Sequence, residues 1–372
     1  MPLNDCENRP PRPAVADCSA DPAPHRAAAS ATRPVAAAPC GAGIGTDAGP
    51  DARARIRVEY RWPGTSEPCP RDLLAAVSFG ASAAAVHGVA VQAPVTVDVH
   101  LTPLHDAPVE LWLASGPVRA GSDGPVRYAH DANFLFAAIE LDEREHGGIR
   151  ASAEAAYVAI QRFQERSHFA HPLRMWNYLD AINDGAGDLE RYRQFCVGRA
   201  RGLGAAAHQR HPAATAIGRQ HGTHLLQVFW LAGRAPGLAI ENPRQVSAYH
   251  YPRAHGPVSP SFSRATLAPD GTMLISGTAS IVGHDSRHHD DTMEQLEEIL
   301  RNLAALAQQA RVHRAFARPS RELLKVYVRE PALMPQIAQR VREEYPSAHV
   351  VFLAADVCRR ELLLEIEAVY CP

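Results

Sequence analysis

The sequence predicts an α/β protein in α+β layers, with helices packed on one face of mixed sheets. Three observations carry that prediction: stretches of period-two hydrophobicity in the first half, a Pro-Asp-Gly turn joining two strands at 269–271, and an alternation of strands with amphipathic helices towards the C-terminus. Residues 55–62, Arg-Ile-Arg-Val-Glu-Tyr-Arg-Trp, alternate as a half-buried strand does. Apolar runs over 73–79, 95–101 and 109–114 read as further strands. From 151 to 165 the period becomes helical, with Ala155, Val158, Ile160 and Phe163 as apolar positions. A polar, aromatic-rich region follows over 174–195, and then an apolar strand over 225–231.

The C-terminal part is the most legible. Strands over 261–267 and 272–282 flank the Pro269-Asp270-Gly271 turn. Asp291 and Glu294 have capping-box spacing ahead of Met293, Leu296, Ile299, Leu300, Leu303 and Leu306, which form one stripe on a helix of about five turns. A strand over 323–328, a helix opened by Pro331 and running to Glu344, and strands over 349–354 and 361–369 complete a ββαβαββ order. A degenerate version of this order is expected in the first half. The predicted division is therefore a tail over 1–54, an N-terminal α/β domain over 55–240 and a C-terminal domain over 241–372.

Residues 1–50 hold 13 Ala and 9 Pro and no Phe, Tyr or Trp, too little apolar bulk to offset chain entropy, so the tail is expected to be disordered. Gly41-Ala42-Gly43-Ile44-Gly45 has no strand before it and no helix after it, which argues for a linker over a phosphate loop. Lys plus Arg number 38 and Asp plus Glu 40; this near-balance argues against a nucleic-acid partner. No apolar stretch is long enough to span a membrane, and the start lacks a signal-peptide pattern, so a cytoplasmic protein is expected. Seven cysteines without a CxxC pair argue against a disulfide framework and a structural zinc site.

Several residues could carry chemistry. In the last strand Leu362, Leu364, Ile366 and Ala368 share one face, leaving Glu361, Glu365 and Glu367 on the other. That glutamate face is either solvated or the lining of a cleft. In a cleft, partial burial would raise the Glu365 pKa and make it a candidate general acid. Cys358, next to Arg359 and Arg360, is either a small buried hydrophobe or a thiol activated by those cations. Arginines at 191, 193, 199, 201, 244 and 264 interleave with Trp176, Tyr178, Tyr192 and Tyr249, a combination suited to a ring bearing carboxylates. His284, His288 and His289 with Asp285, Asp290 and Asp291 invite a metal, but they sit in a polar loop before the helix and lack HExxH spacing, so no metal is expected.

Longer motifs sharpen this inventory. Residues 241–249 (ENPRQVSAY), 259–265 (SPSFSRA), 275–284 (ISGTASIVGH), Trp176-Asn177-Tyr178 and 190–195 (ERYRQF) together resemble the chorismatase family. The last domain also resembles a YjgF/RidA-type module, whose closing strand shares the Glu-Ile-Glu-Ala pattern of 365–368, so the resemblance implies two YjgF/chorismate-mutase-like halves. It further implies chorismate as substrate, no cofactor, and cleavage of the enolpyruvyl ether to pyruvate, with Glu365 protonating the enolpyruvyl methylene. Cys358 matches the cysteine of the hydroxybenzoate-forming branches, where it is expected to assist opening of an arene-oxide intermediate and rearomatisation. Residues 193–201 (RQFCVGRAR) are most similar to bacterial 3-hydroxybenzoate/4-hydroxybenzoate synthases of aryl-polyene pigment pathways, implying 3-hydroxybenzoate with 4-hydroxybenzoate as co-product and ubiquinone synthesis as a further use. Arg193 and Arg264 are expected to clamp carboxylates, Tyr178 and Tyr249 to form walls, and Gly277 and Ala279 to set ring approach by their size. Two other readings stand beside this one: net hydrolysis to a dihydroxycyclohexadiene carboxylate, and imine or enamine deamination of the RidA kind. YjgF-type modules form trimers, so either a homotrimer or a chain imitating a trimer internally is expected.

Overall fold

The computed structural model describes residues 55–65, 70–80, 93–204, 211–220, 222–313, 316 and 319–372. The expectations for the tail, for Gly41 to Gly45, and for Cys6, Cys18, Cys40 and Cys69 lie outside these residues. Three sheets dominate the described chain. The first contains β1 (Arg57–Arg61), β2 (Leu73–Ser78), β3 (Val95–Asp98) and β5 (Val109–Leu113), while β4 (Thr102–Pro103) crosses to the third sheet. The second contains β6 (Arg119–Asp123), β7 (Val126–His130), β8 (Phe134–Asp142), β9 (His171–Asp180), β10 (Ala213–Arg219) and β11 (Leu225–Gly233), with helices α1 (Ile149–Arg166) and α2 (Arg191–Leu203). The third contains β12 (Leu238–Ile240), β13 (Ala265–Leu267), β14 (Met273–Thr278), β17 (Arg321–Val328), β18 (His349–Ala354) and β19 (Leu364–Cys371), with helices α3 (Thr292–Ala310) and α4 (Met334–Glu344). A small hairpin, β15 (Ile281–Val282) and β16 (Asp285–Ser286), precedes α3.

The sheets repeat one topology. Strands β7-β8-β11-β9-β10 of the second and β13-β14-β19-β17-β18 of the third follow one order, antiparallel except for the parallel pairs β9-β10 and β17-β18, with β6 added at one edge of the second and β12 and β4 at the edges of the third. These are the two ββαβαββ halves. The first sheet, β1-β5-β2-β3, has the same order without the leading strand, again with its last pair parallel. A parallel pair needs a long crossover, and in the second and third sheets a helix supplies it.

Local chemistry explains the elements. Gly271 has φ of 88° in the 269–271 turn, and Asp270 Oδ1 accepts from the Thr272 amide at 3.0 Å. Asp291 caps α3, its Oδ1 accepting from the amides of Met293 and Glu294 at 3.0 Å each. The structure departs from the sequence reading in three places. Residues 174–195 are not one polar region: the buried strand β9 and the start of α2 flank a mostly exposed connection over 181–190. The strand expected over 272–282 ends at Thr278 after a bulge, and Ile281 leaves to form the small hairpin. The final strand starts at Leu364, so Glu361 lies before it and accepts a hydrogen bond from the Ser286 hydroxyl at 2.7 Å.

All three sheets turn one face to a common core that holds Trp112, Phe136, Trp176, Phe229, Leu274 and Leu353, while α1 and α2 cover the second sheet and α3 and α4 the third. Charges lie inside that core. Lys325 pairs with Glu110 at 3.0 Å and with Glu367 at 2.7 Å. Glu367 also accepts from Arg174 at 2.8 Å and from Trp176 Nε1 at 2.8 Å. These groups come from all three sheets, and burial is tolerable because each charge faces an opposite one.

Candidate active site

A cavity of about 240 Å³ opens between the second and third sheets. Its walls are α2 and the ends of β9 and β10 on one side, and the 251–264 loop, β14 and the 358–365 segment on the other. The seam is stitched by side chains: Ser276 Oγ accepts from the Ala214 amide at 2.8 Å, Thr266 Oγ1 from the Ala213 amide at 2.9 Å and Thr215 Oγ1 from the Gly277 amide at 2.9 Å.

Glu365 is part of the cavity lining and is only 4% exposed. Burial, reinforced by the charge of Glu367, pushes its carboxyl up to about 8, against a weaker pull from Arg174 and Arg264. It therefore carries a proton at neutral pH. Gly277, in the β14 bulge, makes room for it: a Cβ there would lie 1.8 Å from Glu365 Oε1. Ala279 lines the cavity beside it.

Two buried guanidinium groups supply positive charge. Arg264 donates to the Val246 carbonyl at 2.9 Å and to the Tyr251 hydroxyl at 2.6 Å. Arg199 donates to the Ser261 carbonyl at 2.9 Å. Among the described residues neither is paired with a carboxylate, and each leaves a buried Nε without a partner. Two buried cations held only by neutral acceptors favour an anionic ligand. Arg193 lies at the more exposed edge, held loosely by Glu190 at 3.6 Å and Asp188 at 3.9 Å.

Of the residues expected at the site, Glu365, Cys358, Arg193, Arg264, Gly277 and Ala279 line this one cavity. Tyr178 and Tyr249 do not. Side chains alternate across β9, and Tyr178 falls on the inner face, where its hydroxyl meets that of Tyr327 at 2.8 Å. Its neighbour Asn177 reaches the cavity instead, donating to the Thr215 carbonyl at 2.9 Å and accepting from Tyr157 at 2.6 Å. Tyr249 stacks on His211 with ring centroids 4.1 Å apart, and Tyr251 takes the place on the wall.

The expected activation of Cys358 by cations also fails. Arg359 is turned to the His284 carbonyl and the Ser286 hydroxyl, each at 3.0 Å, and Arg360 to the carbonyls of Asn183 and Gly185. Burial, with Glu365 nearby, pushes the Cys358 thiol up, so it stands as a neutral SH. A second thiol, Cys196, shares the lining and is also raised by burial, to about 11.

Sequence reasoning gave no site role to Thr215, Asn177, Tyr251 or Phe262, and it placed Arg199 among the candidate arginines without choosing it as a clamp. For Arg199 a signal existed: Tyr192, Phe195, Cys196 and Arg199 follow i, i+3, i+4, i+7 spacing, and all four line the cavity from one face of α2.

Comparison with known proteins gives this architecture its place. A 3-hydroxybenzoate synthase of Streptomyces hygroscopicus is 35% identical over 277 residues, which span 70% of this chain and 80% of that protein. A chorismatase of Streptomyces rapamycinicus is 37% identical over 289 residues, spanning 73% of this chain and 85% of its own. The chain belongs to the chorismatase family. Residues 110–232 of this chorismatase-family chain match the family described as "Chorismatase FkbO/Hyg5-like, N-terminal". A chorismatase crystal structure superposes with a TM-score of 0.71 at 31% identity, covering 86% of this chain and 98% of that one. The matched region 110–232 includes β9, α2 and β10, which form one wall of the cavity.

Proposed function

We propose that this chorismatase-family chain cleaves the enolpyruvyl ether of chorismate, releasing pyruvate and 3-hydroxybenzoate, with 4-hydroxybenzoate as a co-product. The observation that carries the reading is the buried carboxyl of Glu365, pushed up to about 8, in a cavity that Arg199 and Arg264 also line without a carboxylate partner among the described residues. Arg199 and Arg264 suit the substrate's two carboxylates, with Arg193 at the edge. Glu365 donates its proton to the enolpyruvyl methylene carbon, which leaves a cationic centre at the ether carbon. The ring hydroxyl captures that centre and gives up its proton, restoring protonated Glu365; the ring carbon–oxygen bond of the ether then breaks, the captured oxygen closes onto that ring carbon as an arene oxide, and pyruvate departs. For hydroxybenzoate formation atoms balance without added water, because chorismate is the sum of pyruvate and hydroxybenzoate.

Cys358 favours the aromatic product. As a neutral SH it can donate a proton as the arene oxide opens and recover one as the ring carbon loses its proton and the ring becomes aromatic, a role that needs no thiolate in the resting enzyme. The resemblance of 193–201 to pigment-pathway synthases supports the 3-hydroxybenzoate preference and a role in supplying aryl-polyene synthesis. The test is to incubate purified protein with chorismate, follow pyruvate by a coupled assay and identify the ring product by chromatography and mass. Pyruvate with 3-hydroxybenzoate is expected. A non-aromatic diol from the wild-type chain would refute the role of Cys358, and absence of pyruvate would refute the reading. For Cys358→Ala, chorismate consumption should persist while product shifts to the diol.

A further inference from the structure

At the mouth of the cavity three side chains converge that the proposed reaction does not use. His284 occupies the second position of the two-residue turn between β15 and β16, after Gly283 with φ of 62°, and Asp285 follows it as the first residue of β16. His255 ends a short 3₁₀ turn over Arg253–His255 and lines the cavity wall. His255 Nε2 lies 3.2 Å from His284 Nδ1, and His284 Nδ1 lies 3.0 Å from Asp285 Oδ1. One donor atom from each of the three residues falls within 4.8 Å of the others.

Hydrogen bonding alone satisfies this arrangement poorly. A neutral His284 either donates from Nδ1 to the carboxylate or accepts there from His255, and the other contact then lacks a proton of its own. A cation shared by all three atoms resolves the conflict. Bonds of about 2.0–2.1 Å in tetrahedral geometry place ligand atoms about 3.3 Å apart, close to the 3.2 and 3.0 Å from His284 Nδ1 to His255 Nε2 and Asp285 Oδ1.

The scaffold is anchored on both sides. The Gly283 amide donates to the Arg244 carbonyl at 2.9 Å, and the Val246 amide to the Gly283 carbonyl at 2.8 Å. From the other side Arg359 holds the His284 carbonyl and Ser286, and Ser286 holds Glu361. Positive neighbours oppose an ion: Arg359 approaches the site and Arg287 lies 3.9 Å from Asp285. Glu361, close by, offsets part of that repulsion.

We propose that His255, His284 and Asp285 form a three-ligand site for a divalent metal of the zinc class, at the rim of the cavity. Two imidazoles and one carboxylate suit Zn²⁺, Co²⁺ or Ni²⁺ over Mg²⁺ or Ca²⁺, and the exposure of His284 and Asp285 leaves the remaining coordination to water. The test uses Co²⁺ as the spectroscopic probe on the full chain freed of any histidine tag, with equilibrium dialysis to count bound cobalt. One Co²⁺ per chain is expected, with a visible d–d band and micromolar affinity. His255→Ala, His284→Ala and the more exposed Asp285→Asn should each weaken it at least about tenfold. His289→Ala, in the same loop and outside the triad, should leave it unchanged. Circular dichroism checks that each variant is folded. No binding at millimolar Co²⁺, or equal affinity in the folded triad variants, would overturn the proposal.

Discussion

Glu365 and Glu367 stand two residues apart on one face of one strand, are both buried, and sit at opposite ends of the carboxylate scale. Burial acts on each in the same direction. Around Glu367 it is outweighed by Lys325 and Arg174, with hydrogen bonds from Lys325 and Thr215 besides, so its carboxyl is held down at about 2. Around Glu365 no cation comes within ion-pair distance among the described residues, Gly277 replaces any side chain, and Glu367 itself adds repulsion, so its carboxyl rises to about 8. The lesson is that identical residues in identical secondary structure divide into a structural anion and a proton carrier by what faces them.

Removing either carboxyl's special partner breaks the contrast. The largest effect should come from Glu365→Gln, which keeps shape and removes the proton: pyruvate release should fall by roughly 10²–10⁴-fold. A loss of less than about tenfold would exclude Glu365 as the acid. The same substitution should raise the melting temperature, and more at pH 9 than at pH 5. A carboxyl raised from 4.5 to about 8 contributes stability that is full below 4.5 and lost as pH climbs through 8. Calorimetry at the two values checks it.

Lys325→Met attacks the other partner. It leaves Glu110 and Glu367 without their shared cation, at a cost of about 3–5 kcal/mol seen in urea unfolding. A cost below about 1 kcal/mol would mean that the ion pairs do not secure the three sheets.

Gly277→Ala disturbs Glu365 alone. The new methyl must displace the carboxyl, so turnover should drop by roughly 10²-fold while urea unfolding changes little. Unchanged turnover would show that the carboxyl has room elsewhere.

The smallest and finest test is the pH profile. Turnover needs protonated Glu365 and should fall as pH rises through about 8. In Glu367→Gln the repulsion is gone, and the falling limb should move to lower pH; a limb that stays put would deny the coupling between the two glutamates.

Much of this was legible beforehand, and the reasons are local. The α3 cap, the 269–271 turn and the alternating C-terminal strand depend on residues close in the chain, so period and turn chemistry located them. Strand β9 hid because it is buried on both faces, Met175 and Leu179 under the helices and Trp176 and Tyr178 in the core, which removes the alternation that marks a half-buried strand. Helix α2 hid because its cavity face carries Arg199 and Tyr192 where a core-facing helix would carry aliphatics. Without α2 as a helix nothing in the sequence separates Arg199 from the other candidate arginines, and without β9 as a strand nothing says which of Asn177 and Tyr178 faces the cavity.

By itself the sequence determined the ββαβαββ order, the resemblance to chorismatases and the presence of Glu365 and Cys358 in one short segment, because hydrophobic period, turn residues and motif identity are properties of neighbouring positions. Only the tertiary structure decided that the 57–113 strands repeat the same sheet a third time, that the site lies between the second and third sheets, and that Cys358 stands protonated while Arg359 and Arg360 turn elsewhere. Those outcomes depend on desolvation and on charges brought from residues as far apart as Glu110, Arg174, Lys325 and Glu367, and electrostatics of that kind acts through space, not along the chain.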